Sequence, residues 1–408
     1  MRLLEHQSKK LLSRYGLRFT PCHVCTTREQ AEHAAAELGR TELVIKAQVP
    51  FGGRGKAGAV VFVDGASATG AAADRLLGMT LRGSAVQAVS VEAKVEIARE
   101  FYAGIAWDSG NKLPVAILSA AGGVDVEQVA DHSVVRRTFD PFIGLRAFEG
   151  REMARQLGID RKTMNGIGTA LHQLAKAFLR LDGVTIEINP LAETTDGELV
   201  GLDAHVELDD DAAARLASKL EDLGTIENSA AGRPPTALEL EAQRIDAMDH
   251  RGVAGRVVEF DGDLALLIGG GGASLTVFDA IRRYGGKPAN YCEVGGNPTE
   301  EKVAALTALL LSKPGVREMA VIMNVVNNTR ADVMARGAIE GVRRAGRSPS
   351  DTIIVFRIPG SWEPEATAIL AEASIEALGR EISLDAAAKL AVQRSNDAAC
   401  GRSEAHVA

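Results

Sequence analysis

Apolar and polar positions divide this chain into stretches of different rhythm. Near the start, Leu4, Leu11, Leu12 and Tyr15 share one side of a helix that Gly16 would stop. From about residue 20 to 230, short apolar runs at 43–46, 59–64, 86–92, 101–108, 115–120, 184–188 and 198–203 predict strands, mixed with helices in no regular alternation. Turns such as Asp108-Ser109-Gly110-Asn111 separate the runs from 86 onward and predict an antiparallel meander. Ile167, Leu171, Leu174, Phe178 and Leu181 recur at steps of four and three, the spacing of an amphipathic helix.

Residues 221–240 carry Gly, Pro-Pro, Asn and Ser without periodicity and read as a linker. Strict alternation follows, with strands at 264–268, 319–326 and 352–358 and helices at 274–284, 299–311, 330–344 and 364–372. Such alternation predicts a parallel sheet wound by right-handed crossovers, with ligands at the carboxyl ends of its strands. Four loops rich in Gly, Asn or Pro fall there, at 269–272, 293–298, 324–329 and 359–362. The first opens a helix, whose N-terminal amides and dipole favour an anion. Residues after about 392 carry no assignable pattern and are expected to be disordered or loosely docked.

Composition narrows the function classes. The 408 residues are 46% hydrophobic, 25% charged and 4% aromatic, as expected of a globular protein of two or three domains. A net charge of −8 argues against a general nucleic-acid binder. No apolar run is long enough to span a bilayer and the first residues lack the layout of a signal peptide, so no membrane association and a cytoplasmic location are expected. Four cysteines are too few for a disulfide framework. Cys22-His23-Val24-Cys25 has no second Cys/His pair at zinc spacing and reads as incidental cysteines in a strand or loop.

The candidate chemistry lies in the first half. An apolar strand ends at Lys46 and leads into Gly52-Gly53-Arg54-Gly55-Lys56-Ala57-Gly58, where glycines admit phosphate oxygens to backbone amides and fixed cations neutralise them. It is neither a Walker A loop nor a G-x-G-x-x-G turn. Period-two alternation puts Glu187 and Asn189 on one face, and a hairpin at Thr195-Asp196-Gly197 would bring Asp203 beside them. Oxygen ligands of this kind suit Mg²⁺ shared with nucleotide phosphates. Glu92 and Glu100 flank a segment where acids could receive an exocyclic amine or ribose hydroxyls.

Together with Glu5-His6-Gln7-Ser8-Lys9, Glu149-Gly150-Arg151-Glu152, "IEINPL" at 186–191 and "YGGKPANYCEVGG" at 284–296, these residues resemble the β subunit of ADP-forming succinate–CoA ligase, from residue 1 to about 390. The resemblance implies an α/β chain: an ATP-grasp domain over 1–228, a flavodoxin-like CoA-ligase domain over 241–390, and a tail over 391–408. It places Lys46, Gly53, Arg54, Gly55, Glu92, Val95 and Glu100 where that family holds ATP, and Asn189 and Asp203 where it holds Mg²⁺. Glu187 matches the acid that orients the phosphohistidine. That histidine and the main CoA site belong to an α subunit, which implies an αβ or α2β2 heteromer that couples ATP/ADP, or GTP/GDP, to acyl-CoA formation from a small organic acid.

The substrate loops depart from the family. Where it usually has Asn-Gly-Ala-Gly and Asn-Ile-Phe-Gly-Gly-Ile, this chain has Gly269-Gly270-Gly271-Gly272 and Asn324-Val325-Val326-Asn327-Asn328-Thr329. Pro50 replaces a usual histidine, and Pro359-Gly360-Ser361-Trp362 replaces a small polar loop. Gly269, Asn327 and Asn328 are therefore candidate substrate residues, for an acid more polar than succinate or of another shape. The alternative reading is a self-contained ATP-grasp carboxylate–amine ligase. A non-catalytic scaffold fits less well, because the phosphate and metal positions are intact.

Overall fold

A computed structural model describes residues 1–123, 133–224 and 235–405, which fall into two compact units, Met1–Pro234 and Pro235–Ala408. The first unit opens with α1 (Glu5–Ser13), β1 (Cys22–Cys25), α2 (Arg28–Leu38), β2 (Glu42–Ala47), β3 (Val60–Asp64), α3 (Ala66–Leu77), the short ribbon β4 (Thr80–Leu81) and β5 (Ser84–Ala85), and β6 (Val89–Ala93). The Thr27 hydroxyl caps α2 by accepting from the Gln30 amide, and Gly39 ends it at φ 59°, a left-handed turn that glycine adopts without strain. A four-stranded antiparallel sheet in the order β1-β6-β2-β3 packs against α2 and α3.

The unit continues with β7 (Ile97–Asp108), β8 (Leu113–Ser119), β9 (Val134–Thr138), α4 (Ala147–Gln156), α5 (Arg161–Arg180), β10 (Gly183–Thr194), β11 (Leu199–Gly201), β12 (Ala204–Leu208) and α6 (Ala213–Leu220). Its second sheet runs β11-β10-β7-β8-β9, with β12 also paired to β10. The stripe Ile167, Leu171, Leu174, Phe178 and Leu181 is buried, and it carries α5 and the strand after it onto this sheet. The predicted meander is real from β7 to β9. It does not include the run at 86–92, which is β6 and lies between β1 and β2 in the other sheet, because its apolar residues Val89 and Val91 face α2 and α3.

The second unit consists of α7 (Ala237–Asp246), β13 (Val253–Glu259), β14 (Leu264–Gly269), α8 (Gly272–Arg283), β15 (Asn290–Gly295), α9 (Glu300–Ser312), β16 (Glu318–Ile322), α10 (Ala331–Arg344), α11 (Pro349–Thr352), β17 (Ile353–Arg357), α12 (Glu363–Glu372) and α13 (Leu384–Ala405). The sheet runs β13-β15-β14-β16-β17, parallel except for the antiparallel edge strand β13. Strand β14 is buried throughout: Ala265 and Leu267 face Val303, Ala335 and Ala366 on one side, while Leu264, Leu266 and Ile268 face Val277 and Ala387 on the other. Burial on both faces explains its unbroken apolar run.

Two expectations are corrected. The aperiodic stretch at 221–240 includes the start of α7, capped by Thr236 with Glu239 reaching back to it, a box that the neighbouring prolines obscured; 225–234 lie outside the described residues. Helix α13 runs into the start of the tail expected to be loose: it buries Ala387, Ala388, Ala391 and Val392, and beyond them Arg394 donates to the Ile354 carbonyl at 2.7 Å, while the side chains of 399–408 lie outside the described residues. Its many alanines carry little hydrophobic signal, yet let it lie close to the sheet.

Candidate active site

Strand β2 delivers Lys46 to one end of the first unit, where the loop 52–58 folds back on it. Gly53 takes φ 79° and Gly58 φ 68° in that loop, and the Ala59 amide closes it on the Arg54 carbonyl at 2.9 Å. Arg54 turns inward, 6% exposed, donating to the Ala47 carbonyl at 3.1 Å and to Asp203 Oδ2 at 2.5 Å. The Lys46 ammonium reaches Glu5 Oε1 at 2.9 Å, Glu92 Oε2 at 3.2 Å and the Leu202 carbonyl at 2.5 Å.

The hairpin reading of the carboxylate cluster holds. Ile188 pairs with Ala204 and Glu187 with His205, and the Asn189 amide donates to the Asp203 carbonyl at 3.1 Å. Asn189 Oδ1 accepts from the Gly123 amide at 2.8 Å, and Glu187 Oε2 accepts from the Tyr102 hydroxyl at 2.7 Å. All ten first-half candidates, Lys46, Gly53, Arg54, Gly55, Glu92, Val95, Glu100, Glu187, Asn189 and Asp203, line one cavity of about 860 Å³. That volume suits a nucleotide-sized ligand.

Glu92 lies deep in the cavity wall. It is 2% exposed, and its oxygens already receive Lys9 at 2.8 Å, Thr20 at 2.6 Å, Ser90 at 3.2 Å and Lys46. It acts as an inner counter-ion at the back of the cavity. Glu100 is half-buried on the cavity wall beside Gly123.

Sequence reasoning assigned no role to Glu5, Lys9 or Tyr102. Helix α1 buries Glu5, Gln7, Ser8 and Lys9 along with its leucines, so its polar side is not a solvated face. The legible signal was the Glu5/Lys9 pair at i,i+4. Burial pushes the Glu5 carboxyl up, but Lys46, Arg54 and Lys9 outweigh it and hold the group well below the usual carboxylate range. Burial lowers Lys46 and Arg54, yet Glu5, Asp203 and, for Lys46, Glu92 leave both raised and firmly cationic. Burial raises Asp203, with the Glu5 charge adding to it.

An amide oxygen on Asn189 and the Asp203 carboxylate are hard donors of the kind a magnesium ion shares with phosphates. Among the described residues no group of three His, Cys, Asp or Glu side chains is placed to hold a metal ion. Cys22 and Cys25 lie on β1, with both thiols pushed up by burial, which fits unreactive cysteines.

In the second unit Gly269 ends β14 against Met323, leaving no room for a side chain: a Cβ there would lie 3.0 Å from that of Met323. Asn327 and Asn328 are exposed on the loop after β16, which bridges the loop after β17 through Val326 and Gly360. Arg330, from the same loop, stacks 3.9 Å over the Trp362 ring.

Comparison with known proteins decides the family. Residues 2–193 match the ATP-grasp domain family, and residues 236–355 match the ATP citrate lyase citrate-binding family. The chain is 36% identical to the ADP-forming succinate–CoA ligase β subunit of Rubrobacter xylanophilus, covering 97% of this chain and 99% of that one. The chain belongs to the succinate–CoA ligase β-subunit family. The GDP-forming β subunit of Thermus thermophilus is also 36% identical, over 91% of this chain and 93% of its own. An ATP citrate lyase from Methanothrix soehngenii, solved with citrate and coenzyme A, shares the fold at TM-score 0.75 and 20% identity, over 96% of this chain and 99% of that one. As a member of the succinate–CoA ligase family this protein is an ADP-forming acid–thiol ligase built on an ATP-grasp domain. Among the described residues no helix is long and apolar enough to cross a membrane.

Proposed function

We propose that this chain is the nucleotide-binding half of a heteromeric carboxylate–CoA ligase that works in the cytoplasm. ATP, CoA and an organic acid yield acyl-CoA, ADP and phosphate, by way of a phosphohistidine on a partner α subunit that also holds most of CoA. The observation that carries the reading is the single cavity in which Lys46, Arg54 and the glycine loop face Glu187, Asn189 and Asp203. Lys46 and Arg54 counter phosphate charge as the γ-phosphoryl group leaves, and the loop amides add neutral donors. Magnesium, held by Asn189 and Asp203, supplies further charge neutralisation when bound. Glu187, fixed by Tyr102, orients the partner's imidazole as it accepts the phosphoryl group. Transfer to the acid gives an acyl phosphate, and the CoA thiolate displaces phosphate from it.

For the acid, the reading is a hydroxylated or more highly carboxylated molecule than succinate. Asn327 and Asn328 put donor and acceptor amides where the family has glycines, and the match of 236–355 to a citrate-binding family supports the same direction. The test is an acid panel with the reconstituted partner, following ADP release with ATP and GTP in parallel. Equal kcat/KM for succinate and every polar analogue would overturn the substrate reading. Acyl-CoA formation by the purified single chain would overturn the half-enzyme reading.

A further inference from the structure

Glu5 is the one side chain of this site in contact with all three of its buried cations: Lys9 Nζ at 2.6 Å, Lys46 Nζ at 2.9 Å and Arg54 Nη1 at 2.6 Å. Its carboxylate is 2% exposed and lines the cavity, and its Oε2 forms the ion pair with Arg54. The cluster as it stands is balanced. Lys9, Lys46 and Arg54 face Glu5, Glu92 and Asp203, with Arg54 shared between Glu5 on Nη1 and Asp203 on Nη2.

From this arrangement we infer that Glu5 is the positioning residue of the phosphate site, holding Lys46 and Arg54 in place when Asp203 is called to a cation. The inference rests on the nucleotide reading of the cavity. If Asp203 serves a metal, Arg54 loses one of its two carboxylate partners and the cluster gains one net positive charge, which suits a phosphate. Glu5 and the Ala47 carbonyl then remain as the anchors of Nη1. Without Glu5, Arg54 keeps Asp203 as its sole carboxylate, and metal and arginine compete for the same oxygens. Lys46 would be left to the Leu202 carbonyl and to Glu92, which Lys9 already occupies on both oxygens.

A carboxylate beside a phosphate site could instead only repel the ligand, and the two roles predict opposite signs. The experiment measures equilibrium binding of ADP to the full chain across a Mg²⁺ titration, for wild type, Glu5→Gln and Glu5→Asp, and then KM and kcat with the partner present. Positioning by Glu5 predicts that both variants bind ADP about tenfold more weakly, the scale of a coupling between neighbouring groups, and need more Mg²⁺ for half-saturation. KM for the nucleotide should rise more than kcat falls, with KM for acid and CoA unchanged. Wild-type or tighter ADP binding by Glu5→Gln overturns the inference. If Glu5→Gln does not fold, Glu5→Asp, which keeps the charge but retracts it by one methylene, gives the decision. Unfolding of both also overturns it, since Glu5 would then be a structural counter-ion. Failure of the wild-type chain to bind ADP at all would instead remove the nucleotide site itself.

Discussion

The Tyr102 hydroxyl donates to Glu187 Oε2 at 2.7 Å across the pairing of β7 with β10, fixing the carboxylate at the cavity wall. Gly104 makes room for it, since a Cβ there would stand 2.6 Å from the Tyr102 oxygen. Tyr102→Phe keeps the ring and removes one hydrogen bond to a charged group, a loss of about 2 kcal/mol. Phosphorylation of the partner should slow by about tenfold or more while ADP affinity stays at the wild-type value. Unchanged phosphorylation kinetics would show that Glu187 needs no such support.

Asn189→Ala and Asp203→Ala each remove one oxygen from the cation position. Nucleotide-dependent phosphorylation of the partner should drop by about 100-fold or more in each, with the far-ultraviolet circular dichroism of the folded chain retained. Part of the loss in Asn189→Ala should be recovered at high Mg²⁺. Wild-type rates in both variants would move the metal elsewhere.

Helices α4 and α5 meet at Gly150 and Gly168. A Cβ on Gly168 would lie 2.6 Å from the Ala147 carbonyl oxygen and 3.0 Å from the Arg151 amide, both backbone atoms that cannot swing away. Gly168→Ala should therefore destabilise the first unit by about 1–3 kcal/mol, read as a lower denaturant midpoint, despite alanine's better helix propensity. The exposed neighbour Thr169→Ala serves as the control and should change little.

His6 is half-buried, with Nδ1 2.9 Å from Gln48 Oε1. Burial lowers its pKa, and the Gln48 hydrogen bond only partly opposes that. The unfolded chain therefore binds the proton first as pH falls below about 6.5. The contribution of His6 to stability is fully present above that value and declines as pH drops toward the lower folded pKa. Urea midpoints between pH 7 and pH 5 should fall more steeply for wild type than for His6→Asn. Parallel pH profiles would show that His6 titrates alike in both states.

Much of this architecture could be read along the chain, and the reason is local. Residues 264–268 are apolar without interruption because a central parallel strand is buried on both faces, and the α5 stripe repeats because one side of a helix meets a sheet. Lys46, Arg54, Asn189 and Asp203 were legible as well, since a glycine loop after a strand and a hairpin after an acidic strand have geometry set within a few residues. Tertiary structure decided what depends on distant partners. The run at 86–92 looks like its neighbours but joins another sheet. Alanine-rich α13 has too little periodicity to announce that it docks. Glu5 and Glu92 carry the composition of surface residues, and only the convergence of α1, β2 and β6 surrounds them with Lys9, Lys46 and Arg54. A charge is tolerable in the interior when its counter-ions arrive, and here Lys9 reaches Glu92 across 83 positions and Arg54 reaches Asp203 across 149, separations no local pattern encodes.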